Sequence, residues 1–487
     1  MHLLALPDEL LIVCCEHVNA SANRALRLTC KRMATIATER LFSHVHLLPT
    51  TDSANKARAI LENSHFMPLV TIISIQASLE RYEAPKWEVD PLRKIDSEYA
   101  PKYADETKYD LKTNGVISAT FKAMLSDVSL FENLHRVELH FDWNVAGPTG
   151  DPSGTQMEQP EYREVFLQNV LLALNHPGHP ASKVHSLSIR NLQDYTEDDI
   201  LKSEDFKAVV SRLDSLELCV ATEDNQGCPE NNIHLEERHR FFGKDLVEFW
   251  LAPLQQNLVH LKIYSTCYWG YLPKCDLRPL HFPRLKSLAL GNMTFTHEWQ
   301  LDWIISHGDT LESLILDDCP IVHDAMLSQN LDPERYVVLT DDYNLPQPEE
   351  NNDDIVWTYN SRWHDYFRKL TVGLPRLQHF GMGHGPWGGY IDPAAPAFEA
   401  SASLQAQLDI ARYAIFCDEW VEPDGQRFDH DDERTTKITD LENQYSCYWG
   451  EDGLPEPSYP DCWDQDQEAL DVLMVAVEDR NARRQRV

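Results

Sequence analysis

Leu311-Glu312-Ser313-Leu314-Ile315-Leu316-Asp317-Asp318-Cys319-Pro320-Ile321 places apolar residues in the order L-x-x-L-x-L-x-x-C-x-I. A step of three followed by a step of two reads as a turn entering a short strand, with Leu314 and Leu316 on one side of it. Cys319 is then expected to turn inward behind the strand. Working outward, the triplet recurs eight times: Val70/Ile73/Ile75, Leu134/Val137/Leu139, Val184/Leu187/Ile189, Leu213/Leu216/Leu218, Leu258/Leu261/Ile263, Leu285/Leu288/Leu290, Leu311/Leu314/Leu316 and Leu377/Phe380/Met382. Leu258, Leu285 and Leu311 are 27 and 26 residues apart, and Val184 and Leu213 are 29 apart. That spacing is the period of a stacked repeat array. A unit so small cannot bury its own apolar side, so parallel strands on one side and helices on the other must share a core with their neighbours.

Helical stripes fill the intervals: Phe166, Val170, Leu171 and Leu174; Leu246, Phe249 and Trp250 before Pro253-Leu254; and Leu301, Ile304 and Ile305. A doubly wound α/β sheet also alternates helix and strand. Its strands are covered on both faces and read as continuous apolar runs, whereas Lys262, Ser287 and Ser313 interrupt these. The expectation is therefore an α/β solenoid. If the second and third apolar positions face its core, the opposite face carries His140, Ser188, Arg190, Glu217, His260, Lys262, Tyr264, Ser287, Ala289, Ser313 and Ile315. Small residues on the sixth strand, between Tyr264 and Ile315, leave a dip that can take a side chain. Arg190, Lys262, Tyr264 and Ile315 are the expected substrate-binding residues, unless the segment after Pro386 folds across this face.

The 487 residues exceed what one compact core accommodates, in keeping with an extended array. With 43 basic and 78 acidic residues, the net charge of −35 argues against nucleic acid and anionic membrane surfaces as partners. Residues 1–49 are the exception, with five basic side chains against four acidic. Eleven cysteines without a C-x-x-C pair, and several on apolar stripes, suggest reduced thiols in a cytoplasmic or nuclear protein. Neither a signal peptide nor a run of eighteen apolar residues is apparent.

The array is expected over residues 50–385, with insertions at 76–115, 143–160 and 341–354; the last two read as mobile loops. Residues 386–487 hold 8 basic and 23 acidic residues, and two helical stripes: Leu404/Leu408/Ala411/Ile415 and Leu470/Leu473/Met474/Val477. They are expected to form an acidic extension with helices. Acidic residues start the last stripe and Arg480, Arg483 and Arg484 end it, the order that suits the helix dipole.

The first 49 residues read as a separate helical module. Pro7 suits a helix start, with Asp8 and Glu9 on the amides of the first turn. Leu11, Cys14, Cys15 and Val18 form one stripe, which Leu10 and Val13 widen beyond what a lone surface helix needs. Ser21 and Asn23 can cap a second run, Leu26, Cys30, Met33, Ala37 and Leu41, closed by Phe42 and Val45.

This module resembles an F-box, the short helical unit that recruits the Skp-type adaptor of cullin-RING ubiquitin ligases. Leu6, Pro7, Glu9, Leu10 and Leu11 match its opening L-P-x-E-[LI]-[LI], and Leu26, Leu28, Cys30, Lys31 and Arg32 match its later block. Leu41-Phe42 stands where the family usually has Leu-Trp, and Cys14 replaces an Ile or Leu. The resemblance implies adaptor contacts through Leu6, Pro7, Leu10, Leu11, Cys14 and Leu28. The whole chain resembles fungal F-box proteins with degenerate leucine-rich repeats, best over residues 210–325. That likeness carries Trp269-Gly270-Tyr271 and His281-Phe282-Pro283-Arg284-Leu285. It implies a substrate receptor of a Skp/cullin/F-box ligase with an unknown target protein. A scaffold whose module has lost the ligase is the alternative, favoured by Cys14 and Phe42.

No enzymatic site is expected, and no cofactor or metal. Gly383-His384-Gly385-Pro386-Trp387-Gly388 has dinucleotide-loop spacing, but Pro386 and the following Tyr390-Ile391-Asp392-Pro393 do not open a helix on a pyrophosphate. Asp429–Glu433 reads as a solvated acidic loop, since no glycine-assisted turn converges its side chains on a cation. The repeated Cys-Tyr-Trp-Gly at Cys267 and Cys447 reads as aromatic packing.

Overall fold

The eight triplets become eight strands of one parallel sheet, and a ninth strand precedes them. This computed structural model describes residues 6–77, 118–142, 145, 158–176, 183–223, 235–327, 331–336, 355–383, 404–409, 412–417 and 460–484. The insertions at 76–115, 143–160 and 341–354 lie almost wholly outside the described residues, as do His384–Gly388, Asp429–Glu433 and Cys447.

Three helices open the chain: α1 (Asp8–Glu16), α2 (Ala20–Leu26) and α3 (Lys31–Ser43). The run read as one helix from Leu26 to Leu41 is thus two. Its cap is Asn19, whose Oδ1 accepts from Ala22 N at 2.8 Å. Asn23 is instead buried, donating to Cys15 O at 2.9 Å. The segment closed by Val45 ends in β1 (His44–Leu47), which pairs in parallel with β2 (Ile72–Gln76). Between them lies α4 (Thr51–Leu61), started by Thr50 Oγ1 accepting from Ser53 N. Two apolar positions, Val45 and Leu47, are too few for a periodic signal, and the strand is recognisable only from its partner.

The array continues through α5 (Ala119–Ser126), β3 (Arg136–His140), α6 (Pro160–Leu174), β4 (Ser186–Gln193), α7 (Asp198–Leu201), α8 (Glu204–Val210) and β5 (Ser215–Ala221). It then runs through α9 (Glu236–Arg240), a π-helix Phe241–Leu251, β6 (His260–Ser265), β7 (Ser287–Gly291), α10 (Glu298–Ile305) and β8 (Ser313–Asp317). A small sheet of β9 (Ile321–Leu327) and β10 (Ile355–Thr358) intervenes before α11 (Trp363–Gly373) and β11 (His379–Gly383). The main sheet follows chain order, β1 to β8 and then β11, with every neighbour parallel. A doubly wound sheet reverses its order partway, and this one does not.

Register explains the core. The second triplet positions align across the sheet as Val45, Ile73, Val137, Leu187, Leu216, Leu261, Leu288, Leu314 and Phe380, and the third as Leu47 through Met382. All are buried together with helix residues such as Phe121, Phe166, Trp250 and Ile304. Cys319 is buried as expected, and its thiol reaches Leu290 O at 3.3 Å. The turns are held one residue earlier. Asn191 and Asn292 have φ of 57 and 56° and donate to Phe141 O and Ser265 O on the preceding repeats. Asparagine tolerates that left-handed backbone better than most residues.

The stripe Leu404/Leu408/Ala411/Ile415 is not a helix. Described residues 404–409 are extended, with Ala406 bridging Met382, and Ile415 lies in β12 (Tyr413–Cys417), parallel to β9. Open strand edges on β11 and β9 supply backbone partners that outweigh the local helical spacing. The last stripe does form α12 (Trp463–Arg484), whose Leu470, Leu473 and Val477 join the array core. It packs on α11, and Arg480 and Asn481 donate to Thr371 O and Gln378 O, so α12 covers the last repeat.

Candidate docking surfaces

In the helical module, Leu11, Cys15, Met33, Ile36 and Ala37 form a small core flanked by Leu6, Leu26 and Cys30. Arg32 ties α3 to the chain start by donating to Leu6 O and Asp8 Oδ1. Leu11 was expected to contact a partner, but it is fully buried, because α1 turns this residue onto Met33 and Ile36. Leu6 is half-buried beside that core, while Pro7, Leu10, Cys14 and Leu28 are exposed. Ile12, Val13 and Val18 join them, so five of eleven exposed large apolar side chains among the described residues fall between Leu10 and Leu28. Leu28 is 88% exposed and lies in the turn between α2 and α3. Phe42 stacks on Phe66 at 4.1 Å with Arg27 over both rings, so it joins the module to the array.

The open face of the sheet divides in two. Over β1 to β5 it is polar and linked across strands. Arg136 donates to Glu138 at 2.8 Å and to both oxygens of Glu217 at 2.9 and 3.0 Å, while Ser74 and His44 continue the chain to β1. Burial opposes the charged forms of Glu138 and Glu217, yet hydrogen bonds from their partners, Arg136 in both cases, hold both carboxyls below the ordinary range. His140 is lowered to about 4 by burial and then by Arg190, so it is neutral at pH 7. This network could not be read from the sequence, since Arg136 and Glu217 are 81 residues apart.

Beyond Lys262 on β6 the same face, through β11, is apolar and covered. Tyr264, Ala289, Ile315 and Cys219 form a buried cluster against which Leu404 packs. The expected dip therefore exists, and a side chain of this same chain occupies it. Gly291 and Gly381 make the fit possible. A Cβ at Gly291 would lie 2.3 Å from the Tyr264 ring, and one at Gly381 would lie 2.6 Å from Leu404 O. Tyr264 and Ile315 are thus internal packing, not substrate contacts, and Arg190 is also buried at 8% exposure. Of the four expected residues only Lys262 stays half-exposed, with exposed His260 two positions before it on β6.

A third cluster combines cysteine, histidine and aspartate: Cys462, His364 and Asp466, with ligand atoms within 4.8 Å of one another. Buried Asp466 already accepts from His364 N, His364 Nδ1, Arg412 Nε and Tyr413 OH at 2.9 to 3.0 Å. A cation would have to displace Arg412. Burial, reinforced by Asp466, raises the Cys462 thiol, the reverse of an activated nucleophile. What this cluster does is fasten the start of α12 to α11 and β12.

No family model matches the sequence, and no curated protein matches it. No helix among the described residues is long and apolar enough to cross a membrane.

Proposed function

We propose that this chain is a substrate-recognition adaptor: its helical module acts as an F-box on the Skp-type adaptor of a cullin ubiquitin ligase, and its leucine-rich-repeat-like array presents a target protein. The observation that carries the reading is the apolar surface of the module, where Leu10, Val13 and Leu28 face solvent although Leu11 and Cys15 already complete a core. Burying each large apolar side chain contributes roughly 1.5–3 kcal/mol, a driving force the isolated module leaves unused. The target surface in this reading lies on the open face of the sheet at Lys262 and His260 of β6, which remain accessible. Such a receptor performs no covalent step and accelerates transfer by holding a target lysine near the conjugating enzyme.

The test is a native pull-down with a Skp-type adaptor. Wild-type protein should capture it, and Leu10→Asp and Leu28→Asp should abolish capture without altering the unfolding midpoint. Absence of capture by wild type would leave only a ligase-independent scaffold.

A further inference from the structure

The final helix carries a second apolar surface that its packing does not use. Leu470, Leu473 and Val477 face inward, whereas Trp463, Val472 and Val475 are 43, 56 and 60% exposed. Valine is a poor helix former because its branched side chain loses rotamer freedom against the preceding turn. Two exposed valines on one helix are therefore not there to stabilise it. With Trp463 they share the outer face of this one helix with Asp464, Glu468 and Asp471.

Two features make this surface specific. The first is rigidity. Arg412 lies 4.4 Å from the Trp463 ring centre and is itself held by Asp466 at 3.0 Å, so the indole is preorganised as an anchor. The second is charge. Among the described residues no lysine or arginine forms an ion pair with these three carboxylates, and Arg480 and Arg484 of the same helix reach away to Thr371 O and Glu312. We infer that the outer face of α12 is a docking site for a basic amphipathic segment of a partner protein, with apolar side chains set against Trp463, Val472 and Val475 and lysines or arginines against the carboxylates. Charge argues against other occupants. A second copy carries a net −35, and residues 386–487 hold 23 acidic against 8 basic side chains. The inference stands apart from the F-box reading, since it uses none of the module's residues.

The experiment measures fluorescence anisotropy of a labelled amphipathic peptide of leucine and lysine, about 18 residues or five helical turns, titrated with the full-length protein. A glutamate counterpart and a scrambled sequence of the same composition are run beside it. The leucine–lysine peptide should bind, and its affinity should fall by roughly tenfold or more in Val472→Ser/Val475→Ser, as expected when contacts around a central anchor are lost. Asp464→Asn/Glu468→Gln/Asp471→Asn should weaken binding and flatten its dependence on salt. Both variants alter exposed positions, and unchanged thermal unfolding checks that they fold. Equal binding by wild type and the valine variant, or by the scrambled peptide, would reduce the effect to attraction by the overall negative charge and overturn the proposal. Absence of binding to wild type would overturn it equally, including the case where another segment of the chain covers this face. Because no Skp-type adaptor is present, failure here leaves the pull-down result untouched.

Discussion

The two halves of the open sheet face share one register and differ in almost everything else. Along a single row across the strands stand His46, Ser74, Glu138, Ser188 and Glu217, and then Lys262, Ala289, Ile315 and Gly381. In the first half each carboxylate finds a guanidinium or hydroxyl on a neighbouring strand, so the face satisfies itself. Past Lys262 the side chains shrink and lose polarity, and Leu404 packs against them. Backbone geometry therefore makes a platform, and side-chain chemistry decides how its face is satisfied. Both halves hold buried side chains: the polar one keeps its charges and hydroxyls paired across strands, whereas the apolar one gains from burial itself.

Four changes test that contrast, from the largest expected effect to the smallest. Leu314→Ala removes a side chain from the core beneath the covered half and should cost roughly 2–5 kcal/mol in denaturant unfolding. Limited proteolysis should also nick the neighbouring repeats, because each unit is stabilised by the next. Arg136→Met leaves Glu138 and Glu217 without the guanidinium that bridges them. It should destabilise by about 3 kcal/mol, with Glu138→Gln/Glu217→Gln in the same chain recovering most of the loss.

Leu404→Ala should loosen only the covered half, at about 1–2 kcal/mol since this side chain is partly buried. Hydrogen exchange should quicken over residues 404–409 and stay unchanged at β2 to β4. The smallest effect is acid-linked. The folded-state pKa of His140, about 4, lies below its ordinary 6.5, so its contribution is complete above pH 6.5 and is lost as pH falls through 4. His307, also lowered to about 4 by burial and His281, adds to the same slope from the helical side. His140→Gln should flatten part of the loss of stability between pH 6.5 and 4, leaving the contributions of His307 and of His46, which burial and His44 also lower to about 4.

The sequence by itself determined eight of the nine strands of the array and their core-facing residues, because burying one side of a strand demands apolar residues at fixed steps. Leu311 through Ile321 states that demand within eleven residues. The same logic made α6, α10 and α12 legible, and it found the surplus apolar residues of the first helix. Tertiary structure alone decided the rest. Leu11 and Leu10 are neighbours of one residue type, and only the packing of α3 turns the first inward and leaves the second in water. Ile415 keeps helical spacing with Leu404 yet pairs as a strand, because β9 offers an open edge. Arg136 meets Glu217, and Leu404 packs on the cluster of Tyr264, Ala289 and Ile315, across distances in sequence that no local period spans. Periodicity reports which side of an element is buried, and the identity of what buries it is a property of the assembled chain.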